Sequence, residues 1–353
     1  MKYLNIMLIF IPISIIAEIM HLSPIWIFIL SALAIIPLAA YIGRSTEAIS
    51  VYTGDRIGGF LNATLGNATE LIISILAIKE GLFAVVKASI AGSILGNILL
   101  VLGASMLAGG IKFTIQTFNK KAIEVTSTML LFSIIAITVP AFFEELPSKN
   151  LLVNTEKISI VISIILFLIY IATIVFSMIT HKDLYVEESV AEEREEIEGG
   201  KKHWPLWVAL LVLIIVTIFI AIESEILVSA VEPMTKIIGI SESFVGLILI
   251  PIIGNAAEHS TAVIMAIKDK MNVAMEIAIG SSLQIILFVT PILVFVSLFF
   301  KPMSIIFDNF ELIALISAVI IANKVSIDGE SNWLEGLVLI GIYFILAVMF
   351  FFF

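Results

Sequence analysis

Apolar residues in this chain do not alternate with polar ones; they run on. Continuous apolar stretches fall at about 3–20, 24–43, 59–79, 84–108, 122–142, 157–180, 204–222, 242–267, 272–299, 306–323 and 332–353. Each is near the ~20 residues that a helix needs to cross a bilayer. The pattern therefore predicts an all-α polytopic membrane protein with eleven transmembrane helices. Unbroken runs exclude a transmembrane β-barrel, whose strands alternate.

Polar interruptions inside these runs are few, and two of them repeat. Gly66-Asn67-Ala68-Thr69-Glu70 recurs 188 residues later as Gly254-Asn255-Ala256-Ala257-Glu258, and at the same offset Gly92-Ser93 matches Gly280-Ser281. Ser23-Pro24-Ile25-Trp26 resembles Trp204-Pro205-Leu206-Trp207 at an offset of 181. The matches fall at equivalent spans and divide the chain. Residues 1–22 form an N-terminal helix, 23–181 a first five-helix repeat, 182–203 an acidic linker and 204–353 a second five-helix repeat. Five is odd, so the second repeat enters the membrane from the opposite face and the two are inverted, as in many secondary transporters.

Composition agrees with lipid as the solvent. Hydrophobic residues make up 60%, charged residues 14%, and mean hydropathy is +1.16, where a soluble domain carries roughly a quarter charged residues. Much of the net charge of −10 comes from Glu187, Glu188, Glu192, Glu193, Glu195, Glu196 and Glu198. Such a run reads first as a solvated linker and second as a regulatory segment. Without it the chain is nearly balanced, so no nucleic-acid partner is expected. There is no cysteine, which removes disulfides, thiolate metal sites and cysteine nucleophiles. The opening apolar run reads as a first span rather than a cleaved leader, because no small-x-small site follows and Glu18 and His21 close it.

Basic residues orient the spans. Lys2, Arg44, Arg56, Lys112, Lys120, Lys121, Lys182, Arg194, Lys201, Lys202, Lys268, Lys270 and Lys324 fall on one side. Lys79, Lys87, Lys149, Lys157, Lys236 and Lys301 fall on the other. The richer side is expected to be cytoplasmic, with the N-terminus and the acidic linker there and the C-terminus outside. Mixed-charge stretches at 44–57 and 223–239 read as solvated interfacial helices, or alternatively as the lining of an entrance path.

Glu70 and Glu258 lie near the middle of their runs. A charge at the bilayer centre costs at least about 2.5–3.5 kcal/mol, so such a residue normally faces the protein interior and serves transport. Asn67 and Asn255, three residues earlier, share a helix face with them. Gly66, Gly254 and Pro251 weaken the helices there, and broken helices at the midplane expose backbone carbonyls. The donor set is all oxygen, which suits Ca²⁺ and offers no soft ligand. In the next span of each half, Ser89, Ser93 and Asn97 and then Ser281, Ser282 and Gln284 add polar groups. For the serines, close helix packing is the plainer reading. Two ionised carboxylates in low dielectric repel each other without a cation. Either Ca²⁺ or protons should therefore occupy the site, which is the logic of exchange.

Gly-Asn-Ala-x-Glu in each half, with His259 after the second, resembles the Ca²⁺/H⁺ exchanger (CAX) family of the calcium/cation antiporter superfamily. The resemblance covers the whole chain, acidic linker included. It implies Glu70 and Glu258 as ion-binding and proton-carrying carboxylates, with Asn67, Asn255, Ser93, Asn97, Ser281, Ser282 and Gln284 in support. It also implies export of Ca²⁺ for H⁺ without a cofactor, and a prokaryotic plasma membrane as the location. Thr69 and Ala257 stand where related sodium/calcium exchangers usually carry proline, which favours proton coupling. Sodium-coupled exchange, or another divalent cation such as Mn²⁺, is the alternative. His259 reads as a proton relay, an orienter of Glu258, or a packed histidine. A homo-oligomer is left open. No His-Glu-x-x-His or Gly-x-Gly-Asp motif points to an enzyme.

Overall fold

The structure is a computed structural model that describes residues 2–144, 155–181, 184 and 204–352. The seven glutamates between Glu187 and Glu198 lie outside the described residues.

Helices occupy all the expected apolar runs. α1 spans Leu4–Ile19. The first half follows with α2 (Pro24–Leu65), α3 (Ala68–Glu80), α4 (Phe83–Lys112), α5 (Lys120–Glu144) and α6 (Thr155–Thr180). The second half holds α7 (Leu206–Ile238), α8 (Glu242–Gly254), α9 (Ala256–Ile267), α10 (Met271–Ser297), α11 (Asn309–Val325) and α12 (Trp333–Phe352). Among the described residues, seven helices are long and apolar enough to cross a membrane, or eight if the bent pair α8–α9 is one span. The other expected crossings are made by shorter pieces: α1, α11, and the end of α2 continued by α3.

The largest departure from the apolar pattern is α2. Its helix does not stop at residue 43 but continues through the mixed-charge stretch to Leu65. Gly54, at φ 78° and ψ 165°, breaks it sharply. That conformation is open to glycine and strained for other residues. Beyond the break the chain folds back so far that a Cβ on Gly58 would lie 2.3 Å from the Ser50 Cβ. α7, the equivalent helix, runs unbroken to a left-handed Gly239, a common helix stop. α2 and α7 pack along each other as the most extensive helix pair, and α1 packs against these two. Glu223, expected on a solvated face, is instead fully buried on α7.

Contacts between loops agree with the expected faces. On the face that is rich in basic residues, strands β1 (Gln116–Thr117) and β2 (Glu330–Ser331) pair antiparallel. There Gln116 Nε2 donates to the Ala266 carbonyl and to Asp269 Oδ1, and the Asn119 amide donates to Asn272 Oδ1. On the opposite face Lys87 Nζ donates to the Ile306 carbonyl, the Ile305 amide to Ser159 Oγ, and Lys79 pairs with Glu225 at 3.2 Å.

The two halves pack unequally around the centre. A Cβ on Gly92 of α4 would lie 2.0 Å from the Leu247 carbonyl, and one on Gly246 would lie 2.6 Å from the Val85 carbonyl. α8 is thus pressed against α4, backbone to backbone, which only small residues permit. At Gly280, the repeat equivalent of Gly92, nothing among the described residues lies within 4 Å of such a Cβ. Among the described residues, the packing is close at Gly92 and Gly246 and loose at Gly280.

Candidate functional site

Both repeated motifs sit where helices end. α2 stops at Leu65 and α3 starts at Ala68; α8 stops at Gly254 and α9 starts at Ala256, bent by 61°. Asn67 and Asn255 occupy the N-cap positions, which places Glu70 and Glu258 in the first turns of α3 and α9. The last turn before each break leaves backbone carbonyls without donors in their own helix. The positive ends of α3 and α9 favour negative charge on the two carboxylates. Asn-x-x-Glu is capping-box spacing, but neither asparagine caps its own helix through its side chain.

The amides reach across to the other half instead. Asn67 Nδ2 donates to Gln284 Oε1 at 2.9 Å, and Asn67 Oδ1 lies 3.4 Å from Ser281 Oγ. Asn255 Nδ2 donates to Ser93 Oγ at 3.2 Å and to its own Pro251 carbonyl at 3.1 Å. At the offset of 188, Asn67 with Ser281 and Asn255 with Ser93 are one contact made twice. The inverted repeat thereby builds a single site from both halves.

The carboxylates are not equivalent. Glu258 Oε2 accepts from Ser281 Oγ at 2.8 Å, and Glu258 is only partly buried. Glu70 is 3% exposed, and neither of its oxygens has a hydrogen-bond partner among the described residues. It presses on the opposite break: a Cβ on Gly254 would lie 2.9 Å from Glu70 Oε1. A buried carboxyl without partners is costly, and one set against a helix break is suited to a cation. No cluster of three or more His, Asp or Glu side chains that could hold a metal occurs among the described residues. Cation binding here would rest on two carboxylates with neutral oxygens, a set that fits a hard ion.

The remaining sequence candidates separate. His259 Nε2 lies 3.1 Å from Asn97 Oδ1, with Gly96 beside the ring, so the structure brings it to α4 rather than to Glu258. Asn97 Nδ2 is buried without a partner. Ser282 turns away and donates to its own helix at the Ala278 carbonyl. Ser89 is buried on α4. From Ala256 to His259 the chain is partly exposed, and Ser260 and Thr261 are exposed. Two features had no signal in the residue pattern. The helices lining the site change to π-helical turns at Gly96–Val101, Glu276–Gly280 and Ile285–Val289, a feature frequent at functional sites. Glu70 also packs on Gly254, a contact that only the fold creates.

Comparisons with known proteins bear on this arrangement. Residues 23–179 and 208–352 match the family described as sodium/calcium exchanger protein. The chain is 45% identical to the Ca(2+)/H(+) antiporter ChaA of Bacillus subtilis, covering 97% of this chain and 96% of that protein. It is 43% identical to a Ca(2+)/H(+) antiporter of Aphanothece halophytica, covering 98% and 95%. The solved structure of native YfkE superposes with a TM-score of 0.84 at 41% identity, over 99% of this chain and all of that one.

Proposed function

This chain belongs to the sodium/calcium exchanger protein family, and we propose that it exports Ca²⁺ from the cytoplasm in exchange for H⁺, with Glu70 and Glu258 as the carboxylates both ions share. The observation that carries this reading is Glu70: a buried carboxyl with two unpartnered oxygens, set against the helix break that precedes Glu258. The relatives named as Ca²⁺/H⁺ antiporters supply the ions.

Exchange follows from the electrostatics. With both carboxylates ionised, Ca²⁺ neutralises the pair, while Asn67, Asn255, Gln284 and carbonyls at the breaks complete an oxygen shell. With Ca²⁺ absent, protons must neutralise the same oxygens, because two bare carboxylates in this environment repel strongly. Occupancy is mutually exclusive, so the two fluxes are coupled and opposed. A pH gradient supplies about 1.4 kcal/mol per proton per unit.

Access follows from the packing. α8 is sealed on α4, whereas nothing among the described residues fills the equivalent space at Gly280, and α9 carries exposed Ser260 and Thr261. With the face richer in basic residues taken as cytoplasmic, the open side faces the cytoplasm and this is the state that takes up Ca²⁺. Alternation would exchange the roles of the two halves: the segment before Gly66 closes on α10 while α8 leaves α4. The expected setting is a plasma membrane with the N-terminus inside.

Proteoliposomes test the proposal. An imposed pH gradient should drive Ca²⁺ uptake without Na⁺, and Glu70→Gln or Glu258→Gln should reduce it at least about a hundredfold, the loss of one charge from a buried ion site. Near-normal coupled transport in either variant would remove the two-carboxylate mechanism. Uptake that follows a Na⁺ gradient instead would remove the proton coupling.

A further inference from the structure

Outside the transport site two further carboxyls are buried, Glu311 at the start of α11, where it accepts from the Asp308 amide, and Glu223 at the interface of α7 with α1. Glu223 is 0% exposed, as is its partner Ser14. Ser14 Oγ lies 2.8 Å from Glu223 Oε1 and also 2.8 Å from the Ile11 carbonyl oxygen. Glu223 Oε2 is buried with no partner, and so is the neighbouring Ser224 Oγ. The ion pairs resolved among the described residues on these helices are Lys79–Glu225 and Lys236–Glu232, and neither includes Glu223.

Counting hydrogens decides the state. Ser14 has one hydroxyl hydrogen and two acceptors in front of it. If Glu223 were ionised, both neighbours would compete for that one hydrogen, and a buried negative charge would be left with no cation and a bare oxygen. If Glu223 carries a proton, every distance is satisfied: Glu223 donates to Ser14 Oγ, and Ser14 donates to the Ile11 carbonyl. The orphan Oε2 is then the carbonyl oxygen of a neutral acid, far cheaper to bury.

We propose that Glu223 is a proton-holding site separate from the transport pair, and that its proton fastens α1 to the α2–α7 helix pair. α1 packs on α2 and α7, and this bond ties it to α7, the helix that packs along α2. The elements packed against the junction carry these titratable groups near the same level: Glu18 and His21 at the end of α1, Glu225 on α7, which pairs with Lys79 of α3, and Glu80 beside that lysine, while α2 has no charged residue between Pro24 and Gly43. The proton is held at low pH and lost as pH rises. Loss leaves an uncompensated charge in the interface and should loosen α1. Glutamine at 223 keeps a donor and an acceptor of the same shape, so it should hold α1 docked at every pH.

Infrared spectroscopy of the whole purified protein reads the proton directly. The carbonyl stretch of a protonated carboxylic acid should be present in the wild type with saturating Ca²⁺, which ionises the transport carboxylates. Glu311 is buried too, so the readout is the wild-type spectrum minus that of Glu223→Gln: the difference should hold a carboxylic-acid band that fades as pH is raised. Ser14→Ala should keep the band and shift it, because the acid loses its acceptor; this variant serves if Glu223→Gln folds poorly. Hydrogen exchange of the α1 amides should rise at least about tenfold across the same pH range in the wild type and stay flat in Glu223→Gln. A wild type and Glu223→Gln with identical carboxylic-acid bands would overturn the proposal. So would α1 exchange that rises equally in both. Neither readout needs transport, so failure of the exchange reading would leave this result separate.

Discussion

At the scale of single residues the site is a set of cross-half hydrogen bonds with one carboxyl left over. Ser281 serves both Glu258 and Asn67. Ser281→Ala should weaken Ca²⁺ binding about 10–100-fold, the usual cost of losing an outer-shell partner at a metal site; isothermal titration in detergent measures it. Ser282→Ala, one residue on, should bind as wild type, because that hydroxyl bonds only its own helix. In a double-mutant cycle Asn67→Ala with Ser281→Ala should couple, and Asn67→Ala with Ser93→Ala should be close to additive. Much of this was legible in the chain. Charges in apolar runs mark Glu70 and Glu258, and the repeat marks Asn67, Asn255, Ser93 and Ser281. The partner of His259 was not legible: Asn97 lies 162 residues away, and only tertiary packing joins them.

At the scale of elements, glycines decide what can approach what. Gly92→Val would drive side-chain atoms into the Leu247 carbonyl, since even the Cβ falls at 2.0 Å. Such overpacking costs about 1–3 kcal/mol or more. The expected result is a melting temperature lowered by several degrees, with α8 displaced from α4. Gly280→Ala meets open space in this state and should leave the melting temperature nearly unchanged; a drop as large as that of Gly92→Val would contradict the unequal packing. Helix existence could be read from the apolar runs because lipid demands about 20 residues at a time. The course of α2 could not. Nothing in residues 44–57 distinguishes a short interfacial helix from a continuation that folds back at Gly54, because the choice depends on Ser50 meeting Gly58. Glu223 failed for a related reason: mixed charge in a helix suggests water, and only the docking of α1 makes it interior.

At the scale of the whole molecule, the site's net charge ties binding to pH. Ca²⁺ binding should release up to two protons, so the apparent Kd should rise as pH falls, by up to about a hundredfold per unit where both carboxylates are protonated. Titrations across pH check the slope; a pH-independent Kd would contradict shared occupancy. Ca²⁺ should also raise the melting temperature at alkaline pH, by the equivalent of about 2.7 kcal/mol at one hundred times Kd, and much less in acid. Which loops share a face was readable from the alternation of spans, and the β1–β2 ladder and the Lys87–Ile306 bond join loops of like assignment.

The doubled Asn–Ser contact has a last consequence. Since each break is bonded to the opposite half, neither half owns a complete binding surface. The chain behaves as a dimer whose subunits happen to be covalently joined. Its two halves, produced as separate polypeptides in one membrane, should reconstitute what neither can do alone. A change of amide or hydroxyl on one side can be answered only by a change on the other, so sequence variation in one motif is held in step with its counterpart.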